Sequence, residues 1–126
     1  MQKTVLVVED EDPLRRVLSE RLQVEGFETL EAADGEMALE IAFGKRPHLI
    51  LLDVMMPKEN GFSVLKKLRD DEPYGKQVPI IMLTNMSVDD PLVAEAIDRY
   101  EPTFYLVKVD NSLSHIVDKV HEALMP

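Results

Sequence analysis

Short unbroken apolar runs alternate along the chain with longer stretches whose apolar residues recur at helical spacing. The strongest runs are Thr4–Val8, Leu49–Leu52 and residues 78–83, predicted as strands buried on both faces. Two weaker runs, Glu28–Ala32 and residues 103–107, complete a set of five. The stretches between them carry helical stripes. These are Leu14, Val17, Leu18 and Leu22; Met37, Ala38, Ile41 and Ala42; Val64, Leu65 and Leu68; Leu92, Val93, Ala96, Ile97 and Tyr100; and Leu113, Ile116, Val117, Val120 and Leu124. Start and stop signals agree with the stripes. Asp12-Pro13 and Asp90-Pro91 each set a capping side chain before a proline. Asp34-Gly35 and Asn60 precede the second and third helices, Asn111 or Ser112 the fifth, and Gly26 and Gly44 lie near the ends of the first two.

Five strand-then-helix repeats predict an α/β fold, a doubly wound parallel sheet with helices on both faces. No linker or low-complexity segment interrupts them, so residues 1–126 are expected to form a single domain. The apolar runs are far too short to span a bilayer, and Met1-Gln2-Lys3-Thr4 leads straight into the first strand without a signal-peptide pattern. The expected location is the cytoplasm. Cysteine is absent, which excludes disulfides and thiolate metal sites. The net charge of −10, from 14 basic and 24 acidic side chains, opposes direct binding to a nucleic-acid backbone. Most of those acids are expected to be solvated surface.

In open parallel sheets, ligands bind beyond the carboxyl ends of the strands. The first strand ends in Glu9-Asp10-Glu11-Asp12, the third in Asp53, the fourth in Thr84-Asn85 and the fifth in Lys108. If the first and third strands are neighbours, Glu9, Asp10 and Asp53 converge. Two carboxylates ~5 Å apart repel by about 3 kcal/mol at an effective dielectric of 20. A hard divalent cation relieves that repulsion, and an oxygen-only ligand set favours Mg2+ or Mn2+. Lys108 adds a fixed positive charge, Thr84 a hydroxyl, and Asp53 a carboxylate able to act as nucleophile. Together they suit phosphoryl transfer. Each piece alone is more ordinary: acidic runs are usually solvated, and an aspartate after a strand can merely cap a turn. The signal is their placement at one edge from four separated segments.

Val7-Val8-Glu9-Asp10, Leu51-Leu52-Asp53-Val54-Met55-Met56-Pro57, Gly61, Leu83-Thr84 and Tyr105-Leu106-Val107-Lys108 are similar, in residues and spacing over the whole length, to the receiver domains of two-component response regulators. The resemblance implies a flavodoxin-like receiver fold with five helices and strand order 2-1-3-4-5. It implies that Asp53 accepts a phosphoryl group from a sensor histidine kinase or histidine phosphotransfer protein. Asp10 and Asp53 would hold Mg2+ with the Met55 backbone carbonyl, and Glu9 would act mainly through water. Thr84 and Lys108 would contact the phosphoryl group. Tyr105 would be the aromatic switch residue, and the fourth helix, fifth strand and fifth helix the signalling face. A downstream protein, or a second copy forming a dimer, would dock there. No enzymatic activity beyond self-phosphorylation and self-dephosphorylation is expected.

Three departures from that pattern concern the step after phosphorylation. Val109 follows Lys108 where the family has a cis proline. A cis bond before a non-proline residue costs roughly 2.5–4 kcal/mol, so a trans bond and a rearranged loop are expected. Asn85 stands where a small residue is usual, and Glu101-Pro102-Thr103 replaces a common Gly-Ala. Met55 and Met86 flank the expected path of the water that would hydrolyse an acyl phosphate, and are expected to shield it. Their plainer role is apolar packing. His48, His115 and His121 are scattered and read as surface or packing residues, and Lys66, Lys67 and Arg69 as a solvated helix face. The alternative function is a degenerate receiver that binds partners without phosphorylation. Intact Asp10, Asp53, Thr84 and Lys108 argue against it. A metal-dependent phosphatase would need a further acid or base, and a nucleotide binder a glycine-rich loop after the first strand; neither is found.

Overall fold

The computed structural model describes residues 2–56 and 59–125. Its five strands, β1 (Thr4–Val8), β2 (Glu28–Ala32), β3 (Leu49–Leu52), β4 (Ile80–Thr84) and β5 (Phe104–Val107), are all parallel, in the order β2-β1-β3-β4-β5. The helices are α1 (Asp12–Val24), α2 (Gly35–Lys45), α3 (Gly61–Arg69), α4 (Tyr74–Gln77), α5 (Pro91–Tyr100) and α6 (Leu113–Leu124). The five expected helices stand where their stripes put them, and the single turn α4 is additional.

The continuous apolar runs resolve into two faces with period two. Val5, Val7, Leu49, Leu51, Ile81 and Leu83 pack with Leu18 and Leu22 of α1 and Ile116, Val117 and Val120 of α6. Leu6, Val8, Ile50, Leu52, Ile80 and Met82 pack with Ala38 and Ala42 of α2, the α3 stripe, and Ala96 of α5. Both faces are therefore core, which is why these strands show no polar alternation.

Local signals were obeyed with shifts of a residue or two. Asp34, Asn60 and Asp90 cap their helices, accepting from the N–H groups of Met37, Ser63 and Leu92. Ser112 rather than Asn111 caps α6, accepting from His115 N–H. Asp12 does not cap α1. It lies in the first turn, where its carboxylate pairs with Arg15 at 2.6 Å, and the preceding Glu11 provides no side-chain cap. Gly44 lies near the end of α2 as expected, and the left-handed residue that follows the helix is Arg46 (φ 48°). Val17 and Leu92, placed on apolar stripes by spacing, are exposed.

Candidate functional site

The strand register fixes what meets at the carboxyl edge. Val8 lies beside Leu52, and Thr84 beside Val107, so the residues that follow β1, β3 and β5 emerge close to the end of β4. The Asp53 N–H bonds the Val8 carbonyl at 3.1 Å and the Glu9 N–H the Ala32 carbonyl at 3.1 Å, which prolongs the sheet by one residue into the site. Gly61 closes the β3–α3 connection against it. A Cβ there would collide with the Asp53 carbonyl oxygen and stand 2.6 Å from Val54 Cα.

Glu9, Asp10 and Asp53 present carboxylate oxygens that all lie within 4.8 Å of one another. Glu9 and Asp53 are buried and Asp10 is exposed. The Lys108 ammonium bridges the two buried acids, 2.7 Å from Glu9 Oε1 and 3.3 Å from Asp53 Oδ2. The remaining oxygens are met by backbone: Glu11 N–H donates to Glu9 Oε2 at 3.1 Å, and Met55 N–H to Asp53 Oδ1 at 3.3 Å. Burial pushes the Glu9 carboxyl up to about 7, against the pull of Lys108 and the Glu11 N–H. Burial also raises Asp53, with Lys108 opposing. Burial works against the Lys108 ammonium, but Glu9 and Asp53 outweigh it and hold its pKa above the ordinary lysine value. The two buried acids thus share one ammonium beside a third carboxyl group, that of Asp10, a set that further positive charge would relieve.

Thr84 is fully buried, and its Oγ1 accepts a long bond from Met86 N–H at 3.4 Å. Tyr105, half-buried, donates its hydroxyl to the Met86 carbonyl at 2.9 Å. Asn85 is exposed. Met55, 63% exposed, and Met86 line an apolar groove of about 460 Å³ together with Val54, Met56, Phe62 and Leu92. Among the described residues the cis peptide bond is Glu72-Pro73, so Lys108-Val109 is trans, and residues Lys108–Asp110 form a 3-10 turn. Pro57 of the β3–α3 motif lies outside the described residues.

Sequence reasoning missed two arginines. Arg15 donates to the Glu9 carbonyl at 2.9 Å while pairing with Asp12 and Glu31, which steadies the end of β1; its three-residue spacing from Asp12 was the available signal. Arg69 is no solvated residue. It is half-buried, and its guanidinium donates to the carbonyls of Tyr100, Gly75, Val78 and Glu101. The histidines are peripheral: His48 Nδ1 accepts from Thr4 N–H at 3.0 Å, and His121 lies 3.2 Å from Glu25. No helix among the described residues is long and apolar enough to cross a membrane.

The response regulator receiver domain family matches residues 5–120. The chain is 47% identical over 88 residues to the probable transcriptional regulator ycf27 of Porphyridium aerugineum, covering 69% of this chain and 35% of that protein. It spans about a third of the length of the curated relatives it matches. Among solved structures, the chemotaxis protein CheY4 of Vibrio cholerae superimposes with a TM-score of 0.87 at 31% identity, covering 98% of this chain and 100% of that one. The response regulator protein TrrA of Thermotoga maritima, solved in complex with Mg(2+)-BeF, gives 0.82 at 35% identity, with the same coverage. With the strand order and the edge chemistry in agreement, the chain belongs to the response regulator receiver domain family.

Proposed function

We propose that the chain is a phosphoacceptor switch, in which Asp53 takes a phosphoryl group from a phosphohistidine on a sensor kinase or phosphotransfer protein. The observation that carries this reading is the convergence of the Glu9, Asp10 and Asp53 oxygens within 4.8 Å, with the Lys108 ammonium between Glu9 and Asp53. An Asp53 carboxylate oxygen forms the bond to phosphorus as the phosphorus–nitrogen bond breaks, and the electron pair leaves with the donor imidazole. Lys108 exchanges its contact with Asp53 for the incoming phosphoryl oxygens, and the Met55 N–H steadies the acceptor carboxylate. Asp10, Asp53 and the Met55 carbonyl would hold Mg2+ or Mn2+, with Glu9 acting through water. The crowding of three carboxyl groups, only two of which meet the Lys108 ammonium, fits such an ion, and the structure of TrrA with Mg(2+)-BeF supports the assignment. When bound, the ion supplies charge neutralisation for the transferring phosphoryl group.

The product adds charge and acceptor oxygens beside Thr84 and Lys108. Thr84 turns its hydroxyl toward them, Tyr105 follows, and the face formed by α5, β5 and α6 changes its affinity for a downstream protein or a second copy. The chain acts as a signalling acceptor, its chemistry confined to its own phosphorylation and dephosphorylation. Its net charge of −10 disfavours contact with nucleic acid through these 126 residues, a statement that does not extend to the full-length transcriptional regulators it resembles.

The test is direct. With Mg2+ and acetyl phosphate the protein should gain the mass of one phosphoryl group, and Asp53→Ala should not. No gain with several small donors, or an equal gain in Asp53→Ala, refutes the acceptor assignment and favours a module that binds without phosphorylation.

A further inference from the structure

Lys108 has an exacting task for a long, flexible side chain. It leaves the end of β5 and must hold its ammonium on Glu9 Oε1 at 2.7 Å and Asp53 Oδ2 at 3.3 Å. The backbone that carries it is a single 3-10 turn, Lys108–Asp110, closed by one long bond from Asn111 N–H to the Lys108 carbonyl at 3.4 Å. So short a turn is weak by itself. Val109, 79% exposed, anchors nothing, and its bond to Lys108 is trans.

We propose that Asn111 is a positioning residue for Lys108, its side-chain amide clipping the chain on the far side of the turn back to the end of β5. This rests on the proposed role of Lys108 in phosphoryl transfer. The Asn111 Nδ2 donates to the Val107 carbonyl at 2.8 Å. That carbonyl shares its rigid peptide plane with the Lys108 nitrogen. Fixing the plane fixes the direction in which the Lys108 side chain starts across the pocket. The amide is free to do this because it does not cap α6: Ser112 Oγ accepts from His115 N–H at 3.1 Å. Asn111 itself sits in extended backbone (φ −129°, ψ 123°), open to any side chain. Its identity therefore serves neither the helix start nor a special conformation, and the bond to Val107 is what it provides.

Asn111→Asp keeps the size and removes the donor, and Asn111→Ala removes both. Each should slow phosphoryl gain from acetyl phosphate, at fixed Mg2+, by about five-fold, the equivalent of one hydrogen bond. Asn111→Ala in a Lys108→Ala background should cause no further loss, since the clip acts only through Lys108. Wild-type rates in both single variants, or an equal loss from Asn111→Ala in the Lys108→Ala background, overturn the proposal. A second readout stands apart from phosphorylation: the 15N-edited NMR signal of the Lys108 ammonium, sheltered by its two bonds, should broaden or vanish in Asn111→Asp. An unchanged signal overturns the proposal even if the wild type never accepts a phosphoryl group, a result that would refute the acceptor reading separately.

Discussion

Arg69 sits at the opposite end of the sheet from Asp53, and its replacement offers a quantitative test of how the fold holds α5. The guanidinium reaches Tyr100 O at 2.9 Å, Gly75 O at 2.9 Å, Val78 O at 2.7 Å and Glu101 O at 3.2 Å, with a longer contact to Lys76 O at 3.5 Å. These carbonyls belong to the ends of α4 and α5 and to the approach to β4. They are groups that helix geometry leaves without intrahelical donors, and a cation is well matched to them. Burial pushes the Arg69 pKa down, with Glu101 partly opposing, so the site tolerates the charge only because the carbonyls receive it.

Arg69→Leu removes four well-formed bonds. At about 1 kcal/mol each, and with water able to replace the outermost, the expected loss is ~3 kcal/mol. Taking ~2.1 cal/mol/K of unfolding entropy per residue, a chain of this length should melt about 10 °C lower. Arg69→Lys keeps the charge but not the planar fork, and should lose roughly half as much. Lys66→Ala, which breaks an exposed pair with Asp70, should leave the urea midpoint close to that of the wild type. Urea unfolding followed by circular dichroism measures all three. A loss under 1 kcal/mol in Arg69→Leu would mean the carbonyls are solvated and the clamp is not structural.

Other outcomes follow from single positions. Glu101 closes α5 at φ 45°, a left-handed conformation that burdens a side chain, so Glu101→Gly should raise the urea midpoint by the equivalent of about 0.5–1 kcal/mol. Mg2+ at ten times its dissociation constant should stabilise the protein by ~1.4 kcal/mol in thermal unfolding, and Asp53→Ala should abolish most of that gain. Once phosphorylated, Met55→Asn should lose phosphate several-fold faster than the wild type, because the groove wall beside the acceptor becomes able to hold water; equal lifetimes would show that Met55 merely packs.

What the sequence could show depended on whether the cause was local. β1, β3 and β4 were legible because burial on both faces leaves no polar residue to interrupt them. The edge chemistry was legible for a related reason, since Glu9, Asp53 and Lys108 stand where such runs stop. α4 was not. It is one turn without a stripe, held by tertiary contacts: the Tyr74 hydroxyl donates to Pro47 O at 2.6 Å, and a Cβ on Gly75 would collide with the Leu68 carbonyl. Arg69 was misread because Lys66 and Lys67 beside it are exposed and the carbonyls it serves come from distant segments. Asn111 and Ser112 are both capping residue types, and only the geometry assigns one to the helix and the other to the strand end.

The bonds around Met86 bear on how a phosphoryl group on Asp53, as proposed, would be felt at the surface. Met86 receives both partners of the expected switch. Its N–H meets Thr84 Oγ1 at 3.4 Å, and its carbonyl meets the Tyr105 hydroxyl at 2.9 Å. The first bond is the longer and weaker, and Thr84 would give it up at little cost on turning toward the phosphoryl oxygens. Releasing it would free the loop that leads into α5, and with it the backbone to which Tyr105 is tied. The two ends of α5 are then unequal. Its first turn depends on the Asp90 cap, with Leu92 mostly exposed, whereas its last carbonyls are held by Arg69. Motion started at Met86 would therefore swing α5 about its clamped end rather than slide it along the sheet. Arg69→Leu would loosen that pivot at the end remote from the phosphoryl group, so in the proposed switch the clamp belongs to signalling as well as to stability.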